Sequence, residues 1–216
     1  MNAGRNDRWV RVWVIFVAVV SATQYGCDST LAEPPEQAQT TIPAERELFF
    51  DATSGGEYVL FPGESGCKAL VLIFFGYDCP ISNAYSPELD RLHKKYSAQG
   101  IEFCVVYADA DLTKDDARKH SKEYGFGFPA ILDPEMSLAL RVGAKIKPEA
   151  AILSPRGDLL YRGRIDDLYA DFGKRRASPA KRELRDALDS ILADKPIAVR
   201  RTEALGCDID LPPAKK

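Results

Sequence analysis

The stretch Ala69-Leu70-Val71-Leu72-Ile73-Phe74-Phe75-Gly76-Tyr77-Asp78-Cys79-Pro80-Ile81-Ser82-Asn83 decides how the rest of the chain is read. Residues 69–76 are a continuous apolar run with β-branched and aromatic side chains, the pattern of a strand buried on both faces. Beyond the polar residues that follow, residues 82–99 carry Leu89, Leu92 and Tyr96 at helical spacing, and Gly100 ends the pattern. Cys79 therefore falls between the end of a buried strand and the start of a helix. A thiol at that junction meets the positive end of the helix dipole and several backbone N–H groups without helical partners. Both favour the thiolate, which is the reactive form. Pro80 suits a first helical turn, where its missing N–H costs nothing.

Working outward, residues 101–108 form a second buried strand, 114–124 a polar helix, 130–132 a short extended piece and 134–142 a further helix. Residues 150–153 and 159–162 are strands joined by the turn Ser154-Pro155-Arg156-Gly157-Asp158. Residues 179–193 close the pattern as a helix with Leu184, Leu188, Ile191 and Leu192 on its apolar face. Strand, helix and strand followed by a hairpin and a helix give an α/β fold, a mixed central sheet with helices on both faces in three layers. The domain is expected to span residues 46–195, with a C-terminal tail over 196–216 that carries Cys207. Residues 27–45, rich in Pro, Glu, Gln and Thr, are expected to be a flexible linker.

The chain has 216 residues, 45% of them apolar, enough for one domain with a real core. Its net charge of −3 leaves no basic excess for a nucleic-acid partner. The short run Lys174-Arg175-Arg176 is expected to be a solvated loop. Arg5, Arg8 and Arg11 precede an apolar run over 12–20, and Ser21 and Ala22 follow. That order describes a secretory leader over residues 1–26. The run is shorter than the roughly 20 residues of a membrane span, unless Trp9 and Val10 extend it. Gly26-Cys27 fits a lipid-anchor site and Thr30-Leu31-Ala32 an ordinary cleavage site. The expected location is exported, periplasmic or membrane-anchored on the extracytoplasmic side, with membrane contact only through the leader or a lipid anchor. Disulfides persist in such a compartment, which frames Cys27, Cys67, Cys79, Cys104 and Cys207. Cys104, mid-strand among apolar neighbours, is expected to be buried and inert.

On the residues around Cys79 the chain resembles the thioredoxin-like superfamily. Within it the likeness is to the redoxin group, which includes the alkyl hydroperoxide reductase and thiol-disulfide oxidoreductase families. Three features carry the resemblance. Cys79-Pro80-Ile81-Ser82 stands where those families place Cys-x-x-Cys. Pro87 lies eight residues after Cys79. Lys147-Pro148-Glu149-Ala150-Ala151-Ile152-Leu153, then Gly157 and Tyr161-Arg162-Gly163, match the cis-proline strand, its turn and the next strand. The resemblance implies that Pro148 is cis, packs beside the active cysteine and helps hold partner backbone. It implies partners that are protein thiols and disulfides or small peroxides. Phe128-Pro129 is the other candidate for that proline, less suited because no hairpin follows it directly.

The departures bear on the chemistry. Ser82 replaces the second cysteine, so no disulfide closes within the turn. Ser82 either donates to the Cys79 thiolate or caps the helix. Gly76 stands where the peroxidase pattern has threonine. Cys207, in Thr202-Glu203-Ala204-Leu205-Gly206-Cys207, is the candidate to pair with Cys79, with Cys67 as another possible partner for it. Thr-x-x-x-Gly-Cys with the Arg162–Asp167 segment resembles a subgroup of exported redoxins. No metal site is expected, because Asn83 stands where copper chaperones of this fold carry cysteine. His93 and His120, lone helical histidines, are expected at the surface. No cofactor motif is present. Three functions stay open: a thiol oxidoreductase, a thiol peroxidase, and a redox-inactive binding module. The first two require that the Cys79 sulfur not be walled off in packed hydrocarbon.

Overall fold

The computed structural model describes residues 47–60 and 66–213. The leader and linker expected over residues 1–45 lie outside the described residues. β1 (Leu48–Phe50) and β2 (Glu57–Val59) form an antiparallel hairpin. β3 (Ala69–Phe74) follows, buried along its whole length, and Phe75 and Gly76 lead out of it. Then come α1 (Pro80–Tyr96), β4 (Ile101–Tyr107), α2 (Lys114–Glu123), β5 (Ala130–Leu132), α3 (Ser137–Val142), β6 (Ile146–Lys147), β7 (Glu149–Leu153) and β8 (Leu159–Gly163). β9 (Tyr169–Asp171), β10 (Lys174–Arg175), α4 (Glu183–Leu192) and β11 (Cys207–Asp208) complete the order.

The central sheet runs β5-β4-β3-β7-β8. β3 pairs parallel with β4 and antiparallel with β7, so the sheet is mixed, as the sequence pattern requires. Alternation along β3 divides the core between two faces. Val71, Ile73 and Phe75 meet Leu89, Leu92 and Tyr96 of α1, Ala117 of α2, and Leu184 and Leu188 of α4. Leu70, Leu72 and Phe74 point the other way, to Leu138, Ala139 and Val142 of α3 and to Ile209 of the tail.

Three helix boundaries differ from the sequence expectation, each for a local reason. α1 starts at Pro80 rather than 82, because Cys79 itself is the N-cap residue, and a 3₁₀ turn over Ser97–Gln99 tightens its end before Gly100 turns left-handed at φ 87°. α3 starts at Ser137 rather than 134. The Asp133 carboxylate accepts the N–H groups of Ser137 and Leu138 at 2.8 and 2.9 Å, so the chain must turn before the helix begins. α4 starts at Glu183 rather than 179, because residues 180 and 181 give their N–H groups to Asp167 Oδ1 at 2.6 and 2.8 Å. The basic run 174–176 is an exposed hairpin edge; Lys174 pairs with Asp171 and Arg176 lies by Asp167.

The tail is ordered on the domain. It runs beside the edge strand β8, where Thr202 N–H bonds the Arg162 carbonyl at 3.1 Å and Arg162 N–H bonds the Arg200 carbonyl at 3.0 Å. β11 then pairs antiparallel with β6, Cys207 opposite Lys147. A free sheet edge is thereby covered. Among the described residues, no helix is long and apolar enough to cross a membrane.

Candidate active site

Cys79 sits at the N-cap of α1 with extended backbone, φ −84° and ψ 113°. Gly76 makes the turn possible, since a side chain there would place its Cβ 2.7 Å from that of Cys79. The loop is pinned from two sides. Asn83 N–H bonds the Cys79 carbonyl at 3.0 Å, and the Asn83 side-chain amide donates to the Tyr77 carbonyl at 3.2 Å. His120 of α2 holds Asn83 in turn, with Nε2 3.0 Å from Asn83 Oδ1. Its Nδ1 lies 2.8 Å from the Tyr107 hydroxyl and its ring stacks on Tyr124 at 4.4 Å. Burial depresses the His120 pKa, which keeps the imidazole neutral. The consistent tautomer has Nε2–H donating to Asn83 and Nδ1 accepting from Tyr107. The surface position expected for His120 is thus corrected: it is a buried fastener of the cysteine loop. His93 is half-buried against Phe103 and Phe128.

The chain brings Ser82, Pro148 and Cys207 to Cys79. Lys147-Pro148 is cis, and no other cis peptide occurs among the described residues, so Pro148 and not Pro129 is the cis-proline. The Cys79 thiol donates to the Lys147 carbonyl at 3.4 Å. Ser82, wholly buried, does not cap the helix: its hydroxyl accepts the Gly76 N–H at 3.2 Å and donates toward the Cys79 sulfur. Cys207 presents both its thiol and its backbone N–H to the same sulfur. Burial alone would raise the Cys79 pKa. The Cys207 thiol, the Ser82 N–H and hydroxyl and the Cys207 N–H outweigh it and leave the thiol below its ordinary value. The same contact has the opposite effect on Cys207, pushed up to about 11 by burial, by its hydrogen bond to Cys79 and by the charge there. One thiol of the pair is thus poised to ionise and the other to stay protonated.

The exposure expected for a nucleophile is not found in simple form, because Cys79 is only 1% exposed. Its cover, however, is polar: Lys147 carbonyl, Ser82 and Cys207, and the sulfur belongs to neither apolar cluster of the core. Tyr77, Asp78 and Pro80 around it are exposed. Cys79 therefore lies just beneath the surface under a single layer of tail. Cys104 is fully buried and burial drives its pKa up. Cys67 is half-buried, its thiol 3.6 Å from the Ala69 carbonyl.

The charged cluster after β8 is occupied with the fold. Arg162 pairs with Glu149, Arg164 with Glu183, and Asp166 accepts from the Tyr85 hydroxyl at 2.7 Å. Among the described residues, no three His, Cys, Asp or Glu side chains gather as a metal site would require. Asn83, His120, Thr202 and Gly206 went unassigned in the sequence. Only the spacing of Thr202, Gly206 and Cys207 offered a signal for the last two.

The Redoxin family profile matches residues 37–162, more than half of the chain. The chain belongs to the Redoxin family. Redoxin membership agrees with the mixed five-stranded sheet and with a cysteine at the N-terminus of the helix after its central strand. A curated relative, the thiol-disulfide oxidoreductase ResA of Halalkalibacterium halodurans, is 24% identical over 162 residues, 72% of this chain and 85% of that protein. Among solved structures, an uncharacterised conserved protein from Geobacillus kaustophilus superposes with a TM-score of 0.68 at 24% identity, covering 81% of this chain and 93% of that one. A hypothetical protein from Sinorhizobium meliloti 1021 superposes with a TM-score of 0.67 at 25% identity, covering 81% and 95%. These likenesses establish the thioredoxin-like fold of this redoxin.

Proposed function

We propose that the protein is an exported thiol-disulfide oxidoreductase in which Cys79 is the nucleophile and Cys207 the resolving thiol. The observation that carries this is the pairing of β11 with β6, which sets Cys207, 128 positions on in sequence, opposite Lys147, the residue whose carbonyl lies 3.4 Å from the Cys79 sulfur. Ser82 and the first-turn N–H stabilise the Cys79 thiolate. Pro148 shapes the platform on which partner backbone is held. The thiolate attacks one sulfur of a partner disulfide, forms a mixed disulfide and releases the first partner thiolate. Cys207, giving up its proton, attacks the Cys79 sulfur and releases the second partner thiolate. The chain ends as a Cys79–Cys207 disulfide and the partner as a dithiol, two electrons having passed between them. Two equivalents of an external thiol, or one dithiol, reverse the change, ending as a disulfide themselves and restoring the reduced protein.

Disulfide-bearing proteins as partners are supported by the similarity to ResA, named a thiol-disulfide oxidoreductase. Export is supported by the basic start, short apolar run and small residues of positions 1–26. Residues 46–195 serve as the redoxin domain and 196–216 as the tail that brings the resolving thiol. The test is non-reduced peptide mapping by mass spectrometry after mild oxidation. A Cys79–Cys207 linked peptide is expected, and Cys207 found only as a free thiol overturns the pairing. A second reading, a redox-inactive binding module, draws on the 1% exposure of Cys79. Absence of any Cys79 alkylation in folded protein at neutral pH would decide for it.

A further inference from the structure

We infer that residues 200–209 are a releasable strap over Cys79, and that a partner's cysteine-bearing segment reaches the sulfur only when this strap lifts from β6 and β8. The inference rests on Cys79 as the nucleophile and adds how access to it is controlled.

Besides its backbone pairing to β8 and β6, the strap is seated by three specific contacts. Thr202 is the first. Its hydroxyl accepts the Arg164 N–H at 3.0 Å and meets the Tyr161 hydroxyl at 3.0 Å, which itself donates to the Arg164 carbonyl. Gly163 lies under this point with no room for a side chain, since a Cβ there would overlap Thr202 Oγ1. Gly206 is the second. A Cβ on it would overlap the Lys147 carbonyl oxygen and touch Pro148 Cδ at 3.0 Å. Ile209 is the third, buried in the α3 side of the core with its N–H on the Lys145 carbonyl at 2.8 Å.

Between the anchors the strap is loosely packed. Glu203, Ala204 and Leu205 line one side of a partly open cavity of about 200 Å³ whose other walls include Tyr85, Pro148, Arg164 and Asp166. Arg200, Arg201, Glu203, Asp208 and Asp210 are exposed. A largely exposed segment that borders an open cavity and buries only Ile209 in the core opens at low cost compared with the sheet it lies on. With the strap down, Cys79 is 1% exposed and the β6 edge is paired. With it up, the sulfur, Pro148 and the N–H and C=O groups of Ile146 and Lys147 face solvent together. An extended peptide carrying a disulfide then meets both the edge and the sulfur. When the strap returns, it brings Cys207 to the mixed disulfide. Opening therefore serves attack and closing serves resolution.

The test uses the full reduced chain, iodoacetamide, and peptide mapping of the Cys79 adduct. Gly206→Ala and Gly163→Ala unseat the strap at different anchors without altering a thiol. Each is expected to speed Cys79 alkylation by about tenfold or more, the change that 1.4 kcal/mol makes in an opening equilibrium. With a peptide disulfide as partner, each is also expected to accumulate the mixed disulfide, because the resolving thiol returns more slowly. Amide exchange on the unmodified chain gives an independent arm, with Thr202 and Ile209 expected to exchange well before Leu72 and Val105. Because a lifted strap also withdraws the Cys207 donors from the thiolate, rates are compared on the alkaline plateau where Cys79 is ionised in every variant; equal plateau rates in the original chain and in both variants overturn the strap while leaving Cys79 a nucleophile. Exchange at Thr202 and Ile209 as slow as in β3 overturns it too. No alkylation of Cys79 in any folded variant overturns the oxidoreductase reading itself.

Discussion

Replacing Ser82 by alanine separates a chemical role for this side chain from a structural one. Its hydroxyl is wholly buried and has two duties: it accepts the Gly76 N–H at 3.2 Å and donates toward the Cys79 sulfur. A hydrogen bond to a charged group is worth about 1.5–3 kcal/mol. Its loss removes that much of the thiolate's stabilisation and so raises the Cys79 pKa. The other donors, the Ser82 N–H and the two from Cys207, remain, so the thiolate is weakened rather than abolished. The second duty has its own cost, because Gly76 N–H is left without that acceptor, at about 1–3 kcal/mol. The assay is the pH dependence of Cys79 alkylation, mapped by peptide, beside urea unfolding of the same protein. An upward shift of the alkylation midpoint is expected, together with a fall in unfolding midpoint at unchanged slope. Ser82→Thr, which keeps the hydroxyl, is expected to lose stability without moving the alkylation midpoint. An unmoved midpoint in Ser82→Ala alongside lost stability refutes the reasoning and leaves Ser82 as a tie for the Gly76 loop.

His120 is buried and neutral, with its folded pKa depressed mainly by desolvation. The unfolded chain therefore takes up a proton first, and stability is lost as pH falls below the unfolded value of about 6.5; urea midpoints at pH 7.5 and 5.5 are expected to differ more in the original chain than in His120→Gln. Asp51 runs to the other limit: burial raises its pKa, but hydrogen bonds from Ser54, Ala130 and Thr53 outweigh that and leave it lowered. Its contribution is present above the unfolded value of about 3.9 and lost as pH falls through the folded one, and Asp51→Asn is expected to cost about 1–3 kcal/mol at neutral pH, read from urea unfolding.

The fold was legible because its signals are local and redundant. Residues 69–76 are apolar without interruption, and a strand with helices on both sides of its sheet has no polar face to show. Leu89, Leu92 and Tyr96 announce α1 by spacing alone, and all three lie at 1% exposure or less. The helix starts were harder to read because they depend on carboxylates whose targets lie across a turn. Asp133 fixes where α3 begins, and Asp167 draws residues 180 and 181 away from α4. The hairpins β1–β2 and β9–β10 are two or three residues per strand, too short for alternation to rise above chance.

The site divides in the same way. Cys79 could be placed because a strand end and a helix start define the N-cap between them from one side of the sequence. What surrounds the sulfur depends on pairs that sequence does not couple. His120 looks like any polar-helix residue until Tyr107 of β4 and Asn83 of α1 close on it, with Tyr124 at the end of its own helix stacked on its ring. Gly163 and Gly206 look like loop glycines until the tail is laid down, when each proves to be where one backbone touches another. Such glycines carry no periodic signal, for what selects them is the absence of a Cβ beneath a neighbour far away in the chain. The burial of Cys79 follows from them: with glycine at both contacts the tail can lie flush on β8 and β6, and only a flush tail brings Cys207 within hydrogen-bonding reach of Cys79. The approach of Cys207 to Cys79 and the covering of the site thus come from the same contacts, and on the proposed mechanism a substitution that opens the site is expected to slow its resolution as well.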